Sequence, residues 1–167
     1  YSYTFTNGKA TSLLKTEVNN NFPYNKLKVK LLYEDAKQPH KERKNDAGFD
    51  LFSYEDVVIR PGETKKIKTG IALEITEGSY GQILDRSSLG SKGIHVFGGV
   101  VDSEYRGEIL VCLHNSRQGN DEDAYVISKG DKIAQIVILM LENLEVLIVD
   151  ELTETSRSNK GFGSSGK

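Results

Sequence analysis

The chain has no tryptophan, one cysteine, one methionine, three prolines and three histidines among its 167 residues. With Cys112 alone no intramolecular disulfide can form, and His40, His95 and His114 are too scattered to assemble a Cys/His zinc cluster. Cys112 stands inside the apolar run Ile109 to Leu113 and is expected to be a buried core thiol. The histidines are expected at ordinary surface or packing positions. Charge of one sign is also lacking. Against 24 Asp+Glu there are 22 Lys+Arg, a net charge of -2, so no basic field exists to grip a phosphate backbone nonspecifically, which disfavours a general nucleic-acid coat protein. The longest apolar run, near Ile136 to Leu141, falls far short of the ~20 residues needed to span a bilayer. No charged-then-apolar signal segment opens the chain. It therefore reads as soluble and unexported, with Tyr1 in place of Met leaving room for a trimmed leader. The sparse cysteine points to a cytoplasm-like compartment, with a nuclear or organellar pool or a viral origin left open.

What is present is β-branched. The chain carries 12 Val and 12 Ile against 6 Ala, and such side chains fit a pleated sheet better than the crowded turns of a helix. Runs of strand length recur at Leu27 to Tyr33, Val57 to Ile59, Ile67 to Ile75, Tyr80 to Leu84, His95 to Val101, Ile109 to Leu113, Ala124 to Ile127, Ile133 to Leu139 and Val146 to Val149. Turn formers separate them: Pro61-Gly62, Glu77-Gly78, Gly107, Gln118-Gly119-Asn120 and Lys129-Gly130-Asp131. This spacing predicts an all-β fold, whether barrel, sandwich or jelly roll. One short helical turn is expected after Arg86, over Ser87 to Lys92, where Ser offers an N-cap and Leu89 points inward. A length of 167 residues suits one domain that buries roughly 70% of its unfolded surface. Neither an internal repeat nor a mid-chain Gly/Ser linker divides it. The expected boundaries are an irregular N-terminal extension over 1–25, a β domain over 26–152 and a flexible C-terminal arm over 153–167.

Three stretches have the composition of a site. In Gly99-Val100-Val101-Asp102-Ser103-Glu104-Tyr105-Arg106-Gly107 a carboxylate ends an apolar strand and an aromatic follows across a hairpin turn. Asp85-Arg86-Ser87-Ser88-Leu89-Gly90 offers a guanidinium, hydroxyls and amides at a helix start, a combination suited to phosphate oxygens. In the tail, Phe162 stands between glycines that let the backbone approach a ligand closely. Each pattern alone also fits ordinary turns or a solvated terminus.

Taken together and in order, they resemble the five motifs of the trimeric dUTPase family. Ala47-Gly48-Phe49-Asp50-Leu51 matches A-G-x-D-L. Arg86-Ser87-Ser88-Leu89 resembles P-R-S-G-L-A, with Asp85 for Pro, Ser88 for Gly and Gly90 for Ala. Gly99 to Gly107 fits G-V-I-D-x-x-Y-x-G, and Gly130-Asp131-Lys132-Ile133-Ala134-Gln135 fits G-D-x-I-A-Q. Arg157 through Gly166 resembles R-G-x-G-G-F-G-S-T-G, with Ser158 and Lys160 in two glycine positions. The resemblance runs from about Leu27 to the end.

It implies a β jelly roll, or distorted barrel, assembled as a homotrimer that exchanges C-terminal arms and shares active sites between subunits. It implies magnesium-dependent hydrolysis of dUTP to dUMP and pyrophosphate by in-line attack of water on the α-phosphorus, which limits uracil in DNA and supplies dUMP. On this resemblance Asp102 orients and deprotonates the water. Tyr105 lies beneath the deoxyribose, where a 2′-hydroxyl collides, and backbone groups of Gly99, Val100 and Val101 read the uracil edge in a hairpin too narrow for the methyl of thymine. Arg86, Ser87, Ser88 and Gln135 meet the phosphates, while Asp131 bonds the Arg86 region. Magnesium is chelated mainly by the phosphates, and Asp50 touches it through water. Arg157 meets the γ-phosphate, Phe162 stacks on uracil, and Gly163 and Ser164 donate to the phosphates as the arm closes.

Other readings compete. Arg-Ser-Ser also occurs in dCTP deaminases, so a deaminase or a bifunctional deaminase-diphosphatase is one alternative, although the Tyr105-Arg106-Gly107 signature and the Phe162 arm favour diphosphohydrolysis. A dUTPase fold that serves mainly to bind a partner protein is another. A capsid or lectin jelly roll accounts for the strands but for none of the motifs.

Overall fold

Alternation of β-branched and polar residues emerges as a chain of strands in the computed structural model, which describes residues 26–142, 144–156 and 158 together with the backbone of two short strands near the start. Those two, β1 (Phe5–Thr6) and β2 (Lys9–Ala10), pair with each other. Then come β3 (Lys28–Leu31), β4 (Phe49–Phe52), β5 (Val57–Ile59), β6 (Thr64–Glu74) and β7 (Ser79–Leu84). A four-residue helix, α1 (Ser87–Gly90), falls where the helical turn is expected and buries Leu89. After it run β8 (Ile94–Val96), β9 (Val100–Val101), β10 (Glu108–Asn115), β11 (Tyr125–Ile127) and β12 (Lys132–Met140).

Two four-stranded antiparallel sheets, ordered β3-β6-β10-β8 and β4-β12-β7-β9, face each other as a jelly roll, with β5 and β11 forming a small third pair. The inner faces interlock in one cluster. Ile67, Ile71, Leu73, Ile109, Val111 and Leu113 come from the first sheet, Leu51, Ile83, Val101, Ile133 and Ile136 from the second, and Ile59 and Ile127 from the third pair. Period-two alternation explains this. Along β10, Ile109, Val111, Leu113 and Asn115 are buried while the residues between them are not. Cys112 is therefore half-buried on the opposite face, and not the core thiol expected from its apolar run. An apolar run does not by itself say which parity points inward.

Asn115, fully buried, is bonded at both ends of its amide. Its Nδ2 donates to the Ile59 carbonyl at 2.9 Å and its Oδ1 accepts from the Arg117 N–H at 3.1 Å, which ties β10 to β5. The last strand ends at Met140. From there to 156 the chain has no regular pairing among the described residues. The strand expected at Val146 to Val149 is absent. Val146 is 96% and Ile148 92% exposed, because no strand of the same chain lies alongside. No helix among the described residues is long and apolar enough to cross a membrane.

Candidate active site

Four of the five motif segments converge on one sheet. Phe49-Asp50-Leu51 lies on β4, Lys132 to Gln135 on β12, Arg86 to Leu89 just beyond β7, and Val100-Val101 on β9, which makes the sheet order β4-β12-β7-β9 an ordering of motifs. Register does the gathering. Gln135 pairs with Asp50 on one side and with Leu84 on the other, so these residues form a row across the sheet that ends at the Arg86 turn.

At that row a charge cluster forms. One oxygen of the Asp50 carboxylate accepts from Arg86 Nε at 2.9 Å and the other lies 2.8 Å from Lys132 Nζ. Arg86 Nη1 also donates to the Lys132 carbonyl at 3.3 Å. Bonding to Asp50, and then to Glu42, raises the pKa of the Lys132 ammonium above its usual 10.5. Gln135 Nε2 donates to the Asp85 carbonyl at 2.8 Å, which pins the residue just before Arg86. Arg86, Ser88, Lys92, Asp131 and Lys132 line a hollow of about 290 Å³ here. Ser87 opens α1 next to it, with no side-chain cap bond at the helix start. Three cations around one hollow suit an anionic group. Asp131 acts elsewhere than expected. Its carboxylate accepts from the Ser128 N–H at 2.8 Å and its carbonyl from the Ser53 N–H at 2.8 Å, so it closes its own turn instead of bonding the Arg86 region. Gln135 holds that region.

The second cluster is the hairpin. Gly99, Val100, Val101, Asp102 and Tyr105 line a pocket of about 210 Å³ together with Ile83, Glu108 and Leu110. Gly99 adopts φ +103 and its carbonyl accepts from the Ile83 N–H at 2.7 Å; a Cβ there would stand 2.6 Å from the Ile83 oxygen, so only glycine fits. The Tyr105 N–H donates to the Asp102 carbonyl at 3.1 Å, closing the turn that carries both residues. Tyr105 Oη donates to the Glu108 carbonyl at 3.0 Å, and the ring lies over Gly107, where a Cβ would collide with the hydroxyl. The Glu108 carboxylate accepts from the Gly70 N–H at 2.9 Å across a register shift between β10 and β6, anchoring the hairpin's far end. Motif matching passes over Glu108. Its signal in the sequence is only its place next to Gly107.

Within the chain, Asp102 and Arg86 stand toward opposite ends of β7. β9 runs antiparallel to β7 with Val101 opposite Gly81, so Asp102 falls level with Tyr80, six residues before Arg86. At about 3.3 Å per residue the two positions are roughly 20 Å apart along the strand direction. Arg157, Phe162, Gly163 and Ser164 lie outside the described residues.

A family model described as dUTPase matches residues 34–166. The deoxyuridine 5'-triphosphate nucleotidohydrolase of Nautilia profundicola is 48% identical over 145 residues, which cover 85% of this chain and 99% of that protein. Its counterpart in Paramecium bursaria Chlorella virus 1 is 41% identical over 141 residues, with 84% and 97% covered. The structure of the Staphylococcus bacteriophage 80alpha dUTPase with dUPNHPP is similar at TM-score 0.81 and 34% identity, covering 86% of this chain and 99% of that one.

Proposed function

The chain belongs to the dUTPase family, and we propose that it hydrolyses dUTP to dUMP and pyrophosphate in active sites shared between copies of the chain. The observation that carries this reading is the hairpin pocket, in which Asp102, Tyr105 and the Gly99 to Val101 backbone line one hollow. Uracil binds to the backbone edge of Gly99, Val100 and Val101. The Tyr105 ring, fixed by its bond to Glu108, lies beneath the deoxyribose and rejects a 2′-hydroxyl by contact. Asp102 takes a proton from water as the water oxygen bonds to the α-phosphorus. The bond from that phosphorus to the bridging oxygen breaks, and pyrophosphate leaves.

Arg86, Ser87 and Ser88 hold the α- and β-phosphates in the cationic hollow, with Lys132 and Lys92 at its rim. Asp50 aims the Arg86 guanidinium. Gln135 serves the phosphates by fixing Asp85. By resemblance Arg157, Phe162, Gly163 and Ser164 close over the nucleotide. Magnesium fits this donor set as a guest of the substrate. The phosphates would be its main ligands, as suits an ion that keeps its waters and takes charge from phosphates. Asp50 would reach it through water, since each of its oxygens retains a lone pair beyond its ion pair. Bound there, the ion would offset charge on the triphosphate.

Two features support a homotrimer with exchanged arms. A water positioned by Asp102 and phosphates held by Arg86 must meet at one phosphorus, and roughly 20 Å of sheet separates these residues within a chain. A second copy supplies the missing half. The exposed apolar segment, with Leu144, Val146, Leu147, Ile148 and Leu152 turned to solvent, is a surface that a neighbouring copy would bury. A cytoplasm-like compartment suits the lone thiol of Cys112.

The test is pyrophosphate release with magnesium from dUTP, with dCTP, dTTP and UTP in parallel. Wild-type chain is expected to consume dUTP alone. Asp102→Asn is expected to lose turnover and keep its affinity for dUPNHPP; wild-type-like turnover in that variant refutes the assignment. Ammonia released from dCTP would favour the deaminase instead.

A further inference from the structure

Two of the departures in the Arg86 segment meet in space. Asp85 stands where the family pattern has proline and Gly90 where it has alanine. The Asp85 carboxylate spans the gap to β8. Oδ1 accepts from the Val96 N–H at 2.6 Å, and Oδ2 lies 2.8 Å from His95 Nδ1. Its carbonyl takes the Gln135 amide from β12. The residue before Arg86 is thus held by β12 of its own sheet and by β8 of the other. A Cβ at Gly90 would stand 3.3 Å from Asp85 Oδ2, close enough that the carboxylate would have to shift by a few tenths of an ångström. Glycine at 90 is the space that the Asp85 carboxylate occupies, so the two departures are one feature.

We propose that Asp85 and His95 are positioning residues that set the Arg86-Ser87-Ser88 turn for phosphate. Where the family pattern places a ring of fixed φ before the arginine, this chain uses a side chain bonded to β8. The ring of His95 stands at the edge of the sheet and only two-fifths exposed, and its Nδ1 contact fixes the second oxygen of a carboxylate whose first is fixed by backbone. With both oxygens engaged the carboxylate cannot rotate, and the backbone leaving Asp85 delivers Arg86 to Asp50 and Ser87 to the helix start. Neither residue touches the reacting atoms. Their effect belongs to the phosphate half of the nucleotide and leaves the hairpin pocket alone, because Gly99 is tied to Ile83 by its own bond.

This inference rests on the proposed dUTP hydrolysis, and the experiment separates the two. Steady-state kinetics on dUTP, the inhibition constant of deoxyuridine and the melting temperature are measured for the full chain, for Asp85→Ala, for the milder His95→Phe, for Gly90→Ala and for the Asp85→Ala/Gly90→Ala pair. Asp85→Ala is expected to raise KM about tenfold and His95→Phe about threefold, with kcat changed less than threefold, as befits loss of charge-assisted bonds away from the reacting atoms. Deoxyuridine, which lacks phosphate, should inhibit every variant equally. Gly90→Ala should raise KM when Asp85 is present and add nothing when it is absent, the non-additivity expected of residues in contact. An unchanged KM in both Asp85→Ala and His95→Phe overturns the proposal. So does a parallel rise in KM and in the deoxyuridine constant with a lowered melting temperature, which would mark the pair as general scaffold. An inactive wild-type chain would instead refute the hydrolase reading.

Discussion

Replacing Gly99 by alanine tests the hairpin at its most constrained point. Two costs arise. The residue adopts φ +103, where an L side chain is strained by about 1–3 kcal/mol. The new Cβ would also lie 2.6 Å from the Ile83 oxygen, so the strand ends must part, and the Ile83 N–H to Gly99 carbonyl bond, worth about 1 kcal/mol net, is weakened or lost. The sum is about 2–4 kcal/mol. If the hairpin recovers its shape only when it closes on the base, that energy appears as a fall in kcat/KM of about 30- to 1000-fold, at 1.36 kcal/mol per decade. If the strain is carried by the folded state at all times, it appears as a melting temperature lower by roughly 4–16 °C. Kinetics on dUTP and thermal unfolding on the same preparation distinguish the two. Gly98→Ala is the control, because Gly98 also has positive φ, +81, but its Cβ would meet nothing within 4 Å. It should show the conformational part alone. A Gly99→Ala protein with wild-type kcat/KM and melting temperature, or one no worse than Gly98→Ala, refutes the reasoning.

Asn115→Leu should destabilise the fold by about 2–4 kcal/mol, because the Ile59 carbonyl and the Arg117 N–H it satisfies become unpaired in the interior; denaturant melts would show it, and an unchanged midpoint would contradict it. The exposed cluster of Asp35, Tyr54 and Lys129 should stabilise only in a pH window. Bonding to Lys129, then to Tyr54, lowers the Asp35 carboxylate below its usual 3.8, so its contribution is present above 3.8 and lost as pH falls through the lowered value. Bonding to Asp35 raises Lys129 above 10.5, so that contribution is present below 10.5 and lost as pH climbs through the raised value. Asp35→Asn should therefore be less stable than wild type at neutral pH and converge with it in strong acid; a constant difference down to the lowest pH would rule this out.

Much of the site is legible along the chain because it is local chemistry. The turn before Tyr105 and the helix start at Ser87 each need a few adjacent residue types, so both can be read without knowing what lies across the sheet. The β character is legible for the same reason, since β-branched content and turn spacing act within short windows. What escaped involves partners far away in sequence. The motif places Asp131 to bond the Arg86 region, yet the register of β12 puts Gln135, not Asp131, opposite Leu84. Nothing adjacent to His95 in sequence marks it for more than an ordinary packing position, and β8 brings it beside Asp85.

The sequence by itself determined that this is a β protein, where most of its strands and turns fall, though not β4 (Phe49–Phe52), and which short segments carry the chemistry, because propensity and turn formation depend on neighbours in the chain. The tertiary structure decided which parity of each strand faces inward, and so left Cys112 half-buried, and it left Val146 to Val149 without a partner. It also decided that Asp50, Arg86 and Gln135 meet in one row while Asp102 stands toward the other end of β7. Pairing register is a long-range property, fixed when two sheets bury a common core, and a shift of one residue would turn every one of these side chains to the other face.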